Sequence, residues 1–201
     1  MNRSFRLSAL MMPTLLLSLA APAQAVVVDF EDVGFVPCTD APVSSGGFTF
    51  SGSDFFHCVT PAGLPTPGAN NGSSFLIEGA FFLTVSNDAG VPFTLRRVDL
   101  GTSYFNATSP NLMRVTGVTV NAGTVTQVVE VRDSFGTYAL DGFDRLVSLT
   151  FSALLLPDPD GGPGYFALDN MVVEVPLPGS VPLVLLGLSA LALARRARAG
   201  S

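Results

Sequence analysis

The side chains that could carry catalysis in this chain are few. His57 is the only histidine, and no Gly-x-Ser-x-Gly motif accompanies it, so a serine nucleophile would lack its usual context. Sixteen acids could supply the carboxylate pair of a glycosidase, but among so many acids some pair is always available. The sequence contains no phosphate-binding loop, dinucleotide fingerprint or zinc-ligand spacing. We therefore expect a non-catalytic protein in which His57 is a partly exposed strand residue.

The two cysteines, Cys38 and Cys58, are the next candidates for chemistry. The amino terminus described below predicts export, and exported thiols meet oxidising conditions. We predict a disulfide between them that closes a loop of about 20 residues and contributes roughly 3 kcal/mol. The alternative is two free thiols. Metal binding by the pair has little support, because His57 is the only additional ligand of the Cys and His type.

The segment between Asp29 and Glu174 is strongly acidic. It holds all sixteen acids of the chain but only five arginines, a formal charge of −11, and the whole chain has no lysine. Such a segment would repel phosphate backbones, so we expect no nucleic-acid partner. It would favour solubility and attract divalent cations, although a solvated acidic surface explains it as well.

The amino terminus has the three parts of a secretory signal. Arg3 and Arg6 precede an apolar stretch from Leu7 to Ala20, and Ala23-Gln24-Ala25 supplies an A-x-A cleavage site. We predict that residues 1–25 form a signal peptide and that the mature protein begins at Val26. The alternative is a retained amino-terminal membrane helix.

The carboxyl terminus also has three parts. A proline-containing segment is followed by an apolar run and a basic end: Val175, Pro176, Leu177, Pro178 and Gly179, then 181–194, then Arg195, Arg196 and Arg198. Fourteen helical residues span about 21 Å, short of the ~30 Å hydrocarbon core, so we predict a marginal, temporary transmembrane helix with its arginines as the cytoplasmic stop. The alternative is a core helix with a basic end.

This order of parts resembles the PEP-CTERM sorting signal. In that family the motif is usually Val-Pro-Glu-Pro, and Leu177 makes this the VPLP variant. The resemblance implies recognition by an exosortase-type enzyme near Pro176-Leu177-Pro178, anchoring in the inner membrane of a Gram-negative bacterium in transit, and delivery to the cell surface or an exopolysaccharide matrix.

The remaining segment, 26–174, reads as one all-β domain. Short β-branched and aromatic runs alternate with Gly, Asn, Asp and Pro clusters, a pattern typical of a β-sandwich. The predicted strands are 26–31, 47–51, 54–59, 74–78, 80–86, 92–100, 112–120, 123–132, 146–153 and 165–174, and long loops are predicted at 60–73, 103–111 and 156–164.

Three local patterns sharpen this prediction. The apolar parity of the strand at 92–100 flips at Arg96-Arg97, which indicates a β-bulge or two separate strands. Asn121-Ala122-Gly123 joins two apolar-alternating runs and predicts a hairpin, with the glycine available for positive φ. In 146–153, alternation predicts that Val147, Leu149 and Phe151 face the core.

Two strings resemble the closing and opening strands of jelly-roll modules of the galactose-binding or carbohydrate-binding type. They are Tyr165-Phe166-Ala167-Leu168-Asp169-Asn170-Met171-Val172-Val173 and Val27-Val28-Asp29-Phe30-Glu31. The resemblance implies a jelly-roll β-sandwich whose terminal strands lie together, with Asp29, Glu31 and Asp169 as candidate ligands of a structural Ca²⁺. The alternative is that Asp169-Asn170 sits at a strand bend and bonds local backbone.

Polysaccharide is the ligand class that we weigh most seriously. The chain has no tryptophan and only three tyrosines, and we expect its phenylalanines, including the Phe55-Phe56 and Phe81-Phe82 pairs, to fill the core. Stacking on aromatic rings is therefore disfavoured, while hydrogen bonding by loop residues such as Asn70 and Asn71 stays open. We predict an exported, non-catalytic surface or matrix protein; the alternatives are a carbohydrate-binding module of that matrix and, less favoured, a secreted hydrolase.

Overall fold

The computed structural model describes residues 23–52, 57–62, 70–79, 82–102, 111–154 and 166–177. These residues contain the strands β1 (Ala23–Val28), β2 (Val36–Thr39), β3 (Val43–Ser45), β4 (Phe48–Gly52), β5 (His57–Thr60), β6 (Phe75–Glu78), β7 (Phe82–Asn87), β8 (Thr94–Thr102), β9 (Asn111–Thr119), β10 (Thr124–Val131), β11 (Gly136–Ala139), β12 (Leu146–Ala153) and β13 (Phe166–Pro176).

The strands form two antiparallel sheets. Sheet A has the order β11-β8-β13-β6-β5-β2, and β1 pairs with the carboxyl-terminal part of β13, beyond the short β6 pairing. Sheet B has the order β10-β9-β12-β7-β4-β3. The first and last strands therefore lie side by side, as the resemblance to jelly-roll modules implies.

One apolar core lies between the sheets. Strands of sheet B contribute Phe50, Val85, Leu149 and Phe151, strands of sheet A contribute residues such as Leu168, and all of these are fully buried. Alternation places every second residue of a strand in this core and its neighbours on an outer face. The prediction of an all-β sandwich is confirmed, and the jelly-roll connectivity stays a prediction.

Most predicted strands are present, but the boundaries differ. The strand predicted at 26–31 instead covers Ala23–Val28, because Phe30 adopts a left-handed conformation (φ 59°) that breaks the extended chain. A bulky residue is rarely found there, and the ring is fully buried against Phe50, with ring centroids 5.0 Å apart. Strands β2, β3 and β11 were not predicted, because they have only three or four residues each.

The predicted bulge at Arg96-Arg97 is confirmed. Between β13 and β8 the pairing changes register so that one residue of β8 is extra, and both arginines point outward. A second irregularity lies on β13 at Asn170, whose φ is 46°. Asparagine tolerates this left-handed conformation better than most residues. The extra residue changes the direction in which the side chain of Asp169 points relative to the residues that follow it in the strand.

The core face of β12 was predicted wrongly at one position. Leu149 and Phe151 are fully buried, but the side chain of Val147 is 48% exposed and Leu146 takes its place in the core. The pairing of β12 with β9 is irregular between Leu146 and Ser148. A β-bulge of this kind inverts the parity of the residues before it, which alternation alone does not reveal.

The predicted hairpin is confirmed as the β9–β10 pair, with Thr124 opposite Val118. The residue with positive φ is Ala122 (58°), whereas the sequence favoured Gly123. The amide of Ala122 donates to the Thr119 carbonyl (2.9 Å) and the amide of Thr119 donates to the Gly123 carbonyl (2.8 Å). These two hydrogen bonds fix the turn in which Ala122 takes its strained conformation.

The predicted disulfide is confirmed, and Cys38–Cys58 joins β2 to β5. Residues 23–177 form one compact unit. Among the described residues no helix is long and apolar enough to cross a membrane. The predicted signal helix and the predicted span at 181–194 lie outside those residues, as do most of the three predicted loops.

Candidate functional site

Two of the acids singled out in the sequence, Glu31 and Asp169, are held by the same short segment, 70–74. The carboxylate of Glu31 accepts hydrogen bonds from the Ser74 amide (2.7 Å) and hydroxyl (3.1 Å). Oδ2 of Asp169 accepts from Asn71 Nδ2 (2.7 Å) and from the Ser73 hydroxyl (2.6 Å). The segment therefore ties the start of the chain's sandwich, through Glu31, to its last strand, through Asp169.

Asp169 is fully buried and continues this network across sheet A. Asn170 Nδ2 donates to Asp169 Oδ2 (3.2 Å) and to Asp99 Oδ2 (3.0 Å), and the Thr137 hydroxyl donates to Asp99 Oδ1 (2.6 Å). Burial raises the pKa of Asp169, and the hydrogen bonds from Asn71 and Ser73 oppose that rise. Oδ1 of Asp169 is buried without a hydrogen-bond partner among the described residues.

Asp29 takes part only locally, since its Oδ1 accepts the Glu31 amide at 3.3 Å. Within the described ranges no group of three or more His, Cys, Asp or Glu side chains is placed to hold one metal ion. Asp29, Glu31 and Asp169 therefore do not form a three-acid calcium cluster. Calcium binding that uses Asp169 Oδ1 together with amide or backbone oxygens stays a prediction.

His57 was expected to be partly exposed, and this expectation is wrong. Its side chain is fully buried, its Nε2 donates to the Ala41 carbonyl, and its Nδ1 lies 3.9 Å from Oε2 of the buried Glu78. His57 lies on the inward face of β5, the same face as the core residue Val59, so the ring points between the sheets. The imidazole is therefore surrounded by protein and shielded from solvent.

A different surface, the outer face of sheet B, carries an ordered set of hydroxyl groups. Five of its residues stand opposite one another across five neighbouring strands and form the hydroxyl row: Ser51, Thr84, Thr150, Thr116 and Thr126. Their chain neighbours, such as Leu83, Val85 and Phe151, are buried in the core, so the row points away from it. Neighbouring strands are about 4.8 Å apart, which sets the spacing of the hydroxyl groups.

A second row, the mixed row, runs beside the first and contains Phe82, Ser152, Arg114 and Val128 in register. Phe82 was expected in the core, yet its side chain is 42% exposed. The reason is its place on β7, where Leu83 and Val85 take the inward positions and Phe82 shares the outward face with Thr84. Phe81, Phe55 and Phe56 lie outside the described residues.

Most polar groups of the two rows are available to a ligand. Ser51 donates to the Thr84 carbonyl (3.5 Å), and the hydroxyls of Thr116 and Thr126 lie 3.4 Å apart. In the described part of the chain, the side chains of Thr84, Thr150 and Ser152 form no hydrogen bond with the protein. The two rows together, which we call the outer face, therefore combine an exposed ring with hydroxyls that can both donate and accept.

The residues of the predicted processing sites are only partly described. Ala23 and Ala25 of the predicted signal cleavage site lie in β1, opposite Pro176 and Glu174 of β13. Val175 and Pro176 end β13, and Leu177 follows them. The other predicted sorting and stop residues lie outside the described ranges, namely Pro178, Gly179, Arg195, Arg196 and Arg198.

The signal for the outer face was present in the sequence as small alternations such as Thr124-x-Thr126 and Ser148-x-Thr150-x-Ser152. Such patterns are ordinary in exposed strand faces, because threonine suits a pleated surface. Only the order of the strands in sheet B brings these hydroxyl-bearing residues together into rows. The predicted ligand-binding residues Asn70 and Asn71 lie instead in a loop, and the side chain of Asn71 donates a hydrogen bond to the buried Asp169.

No family model matches this chain, and no curated protein is detectably similar to it. Solved structures similar to it include the CBM22-1–GH10 modules of Clostridium thermocellum endo-1,4-β-D-xylanase 10B in complex with xylohexaose (TM-score 0.37, 12% identity, 64% of this chain and 26% of that one). Another is a CBM4 structure, with a TM-score of 0.30 and 11% identity over 78% of this chain and 90% of that one. A third is the CBM22-1 xylan-binding domain of Paenibacillus barcinonensis Xyn10C, with a TM-score of 0.35 and 14% identity over 80% of this chain and 98% of that one. This chain thus spans about a quarter of the length of the xylanase chain. These neighbours are carbohydrate-binding modules or include one.

Proposed function

We propose that this chain is an exported, non-catalytic polysaccharide-binding protein and that its outer face is the binding surface. The observation that carries the proposal is the register of the two rows, which places the exposed ring of Phe82 beside a continuous line of hydroxyl groups. This function corresponds to the carbohydrate-binding alternative that the sequence left open. The sequence pointed to a binding site in the loops, whereas the proposed site lies on the face of a sheet.

The chemistry of the surface matches that of a sugar polymer. A pyranose ring has an apolar face that can stack on an aromatic side chain and a rim of hydroxyls that donate and accept hydrogen bonds. Phe82 offers the ring, while Thr84, Thr150 and Ser152 offer hydroxyls that the described residues leave without partners. Among the outward side chains of β7, β12 and β9, Arg114 carries the one charge, so a docking sugar chain displaces the hydration of few charged groups.

The surface is also largely preorganised. The threonines are β-branched and stiff at χ1, and Thr84, Thr150 and Thr116 lie on strands held by neighbours on both sides. Binding therefore immobilises few side chains, which lowers the entropic cost of association. A flat face with one ring favours an extended polymer bound along several strands over a small sugar enclosed in a pocket.

The proposal includes the route by which the protein reaches its ligand. The predicted signal peptide would direct export, and the Val175–Gly179 segment with its apolar run and arginines would be recognised by an exosortase-type enzyme at the inner membrane. The protein would then reach the cell surface or an exopolysaccharide matrix. The Cys38–Cys58 disulfide supports this route, because such bonds persist in oxidising compartments.

The test is glycan binding by the full chain, with two exposed phenylalanines compared. Phe82→Ala removes the ring of the outer face, while Phe35→Ala removes a ring that is 66% exposed in the segment before β2 and is the matched control. Loss of one stacking contact is expected to weaken binding by roughly 5- to 150-fold. Phe35→Ala should bind like the unmodified chain.

A second variant checks the hydroxyl row. Thr150→Val keeps the shape of the side chain and removes its hydroxyl, so weaker binding at unchanged stability would implicate the hydroxyl itself. Equal binding by Phe82→Ala and the unmodified chain would contradict the proposed site. Failure of the chain to bind any polysaccharide on a broad array would contradict the proposed function and favour a purely structural matrix protein.

A further inference from the structure

We infer that the outer face selects polysaccharides that carry carboxylate groups, with Arg114 as the residue that binds the carboxylate. This inference rests on the proposed function and names the class of ligand that the same site takes. It is carried by the position of Arg114 in the mixed row and by the charges around it.

Arg114, like Arg97 and Arg145, has no acidic partner among the described residues, but of these three it is the one that belongs to the outer face. Arg96 pairs with Asp144 and Glu174, at 3.2 and 2.8 Å, and Arg132 pairs with Glu130 at 2.7 Å. Arg114 is exposed on the central strand β9 and forms no ion pair or side-chain hydrogen bond with any described residue. Its guanidinium therefore keeps its full donor capacity for a ligand.

The register places Arg114 where an acidic sugar would need it. Ser152 lies opposite Phe82 on one side and opposite Arg114 on the other, so Phe82 and Arg114 are two strands apart, about 9.5 Å between backbones. One disaccharide unit can bridge this distance, with one ring on Phe82 and the carboxylate of the next on Arg114. The planar guanidinium suits a carboxylate, because two parallel hydrogen bonds can form.

The surroundings of Arg114 also favour an anion despite the acidic body. The outward side chains of β7, β12 and β9 include no acid among the described residues. Among the described residues the nearest outward acid in the register is Glu130, which stands opposite Leu112 and already accepts hydrogen bonds from Nε and Nη2 of Arg132. Because Arg132 already compensates the charge of Glu130, no uncompensated acid of the described outer face offsets the positive charge of Arg114.

The experiment compares two forms of one polymer, polygalacturonate and its fully methyl-esterified derivative, which differ in charge at the carboxyl group. Binding of the full chain to each is measured alongside Arg114→Gln and the control Arg97→Gln. Arg97 is likewise exposed and without a described ion pair, but it lies on β8 of sheet A.

We expect the unmodified chain to prefer the acidic form, with the preference falling as salt rises. Arg114→Gln should lower affinity for the acidic form by roughly tenfold or more and leave affinity for the ester nearly unchanged. Arg97→Gln should change neither. Arg114→Lys, which keeps the charge but loses the paired donors, should recover only part of the preference.

The outcomes separate the inference from the proposed function. Equal or better binding of the ester by the unmodified chain, with Phe82→Ala still harmful, would overturn the role of Arg114 and leave the polysaccharide site standing. Equal effects of Arg114→Gln and Arg97→Gln on the acidic form would show general electrostatics and also overturn it. Binding of neither polymer, nor of any other polysaccharide, would contradict both.

Discussion

Removing the Cys38–Cys58 disulfide should cost this protein a predictable part of its stability. The bond closes a segment with a sequence separation of 20, and the chain-entropy model assigns such a loop roughly 3 kcal/mol at 25 °C. Strand β2, which carries Cys38, is a four-residue edge strand whose partner among the described strands is β5. The disulfide therefore adds a covalent constraint to an edge strand that otherwise depends on its pairing with β5 and on the packing of Val36 against the core.

The perturbation is the double variant Cys38→Ala/Cys58→Ala, compared with the unmodified chain in oxidised and reduced form. For a domain of this size about 1 kcal/mol shifts the melting temperature by 2–4 °C, so a decrease of roughly 6–12 °C is expected. Cys58 is buried, so alanine avoids burying a new hydroxyl group there. Calorimetry measures the shift, and intact mass with and without reductant shows a difference of two hydrogens.

Two results would refute this reasoning. Identical melting temperatures for the oxidised chain and the double variant would show that β2 is held without the bond. A decrease in the double variant but not in the reduced chain would assign the effect to the substituted side chains and not to the cross-link. Hydrogen exchange adds a local check, since the amides of β5 that face β2 should lose protection first.

Three further predictions concern the buried network and the core. The raised pKa of Asp169 means that the folded chain binds this proton more tightly than the unfolded chain, so the free energy of unfolding should fall as pH rises from the unfolded through the folded pKa. Asp169→Asn should lack this fall in urea titrations at several pH values, and a constant difference between the two proteins would contradict the prediction. Millimolar Ca²⁺ should raise the melting temperature and Asp169→Ala should abolish the rise; no rise in the unmodified chain would end the calcium hypothesis. Gly117→Ala should destabilise the chain by about 1–3 kcal/mol, because its Cβ would lie 2.7 Å from Cδ2 of the buried Leu146; unchanged urea unfolding would show that Leu146 simply rotates away.

The sequence alone determined those features whose cause is local. Alternation and turn residues predicted the all-β body and the β9–β10 hairpin, and the parity break at Arg96-Arg97 predicted the bulge. A single pair of cysteines in a chain with a predicted export signal predicted the disulfide. In each case the information lies within a few residues, or in a pair without competitors.

Only the tertiary structure decided which residues share the outer face. Thr84, Thr150 and Thr116 are adjacent in space but far apart along the chain, and their register depends on which strands become neighbours. The exposure of Phe82 and Val147 and the burial of His57 had the same origin. Parity along one strand shows that two faces exist, but core packing chooses the inward face, and a one-residue bulge inverts the choice.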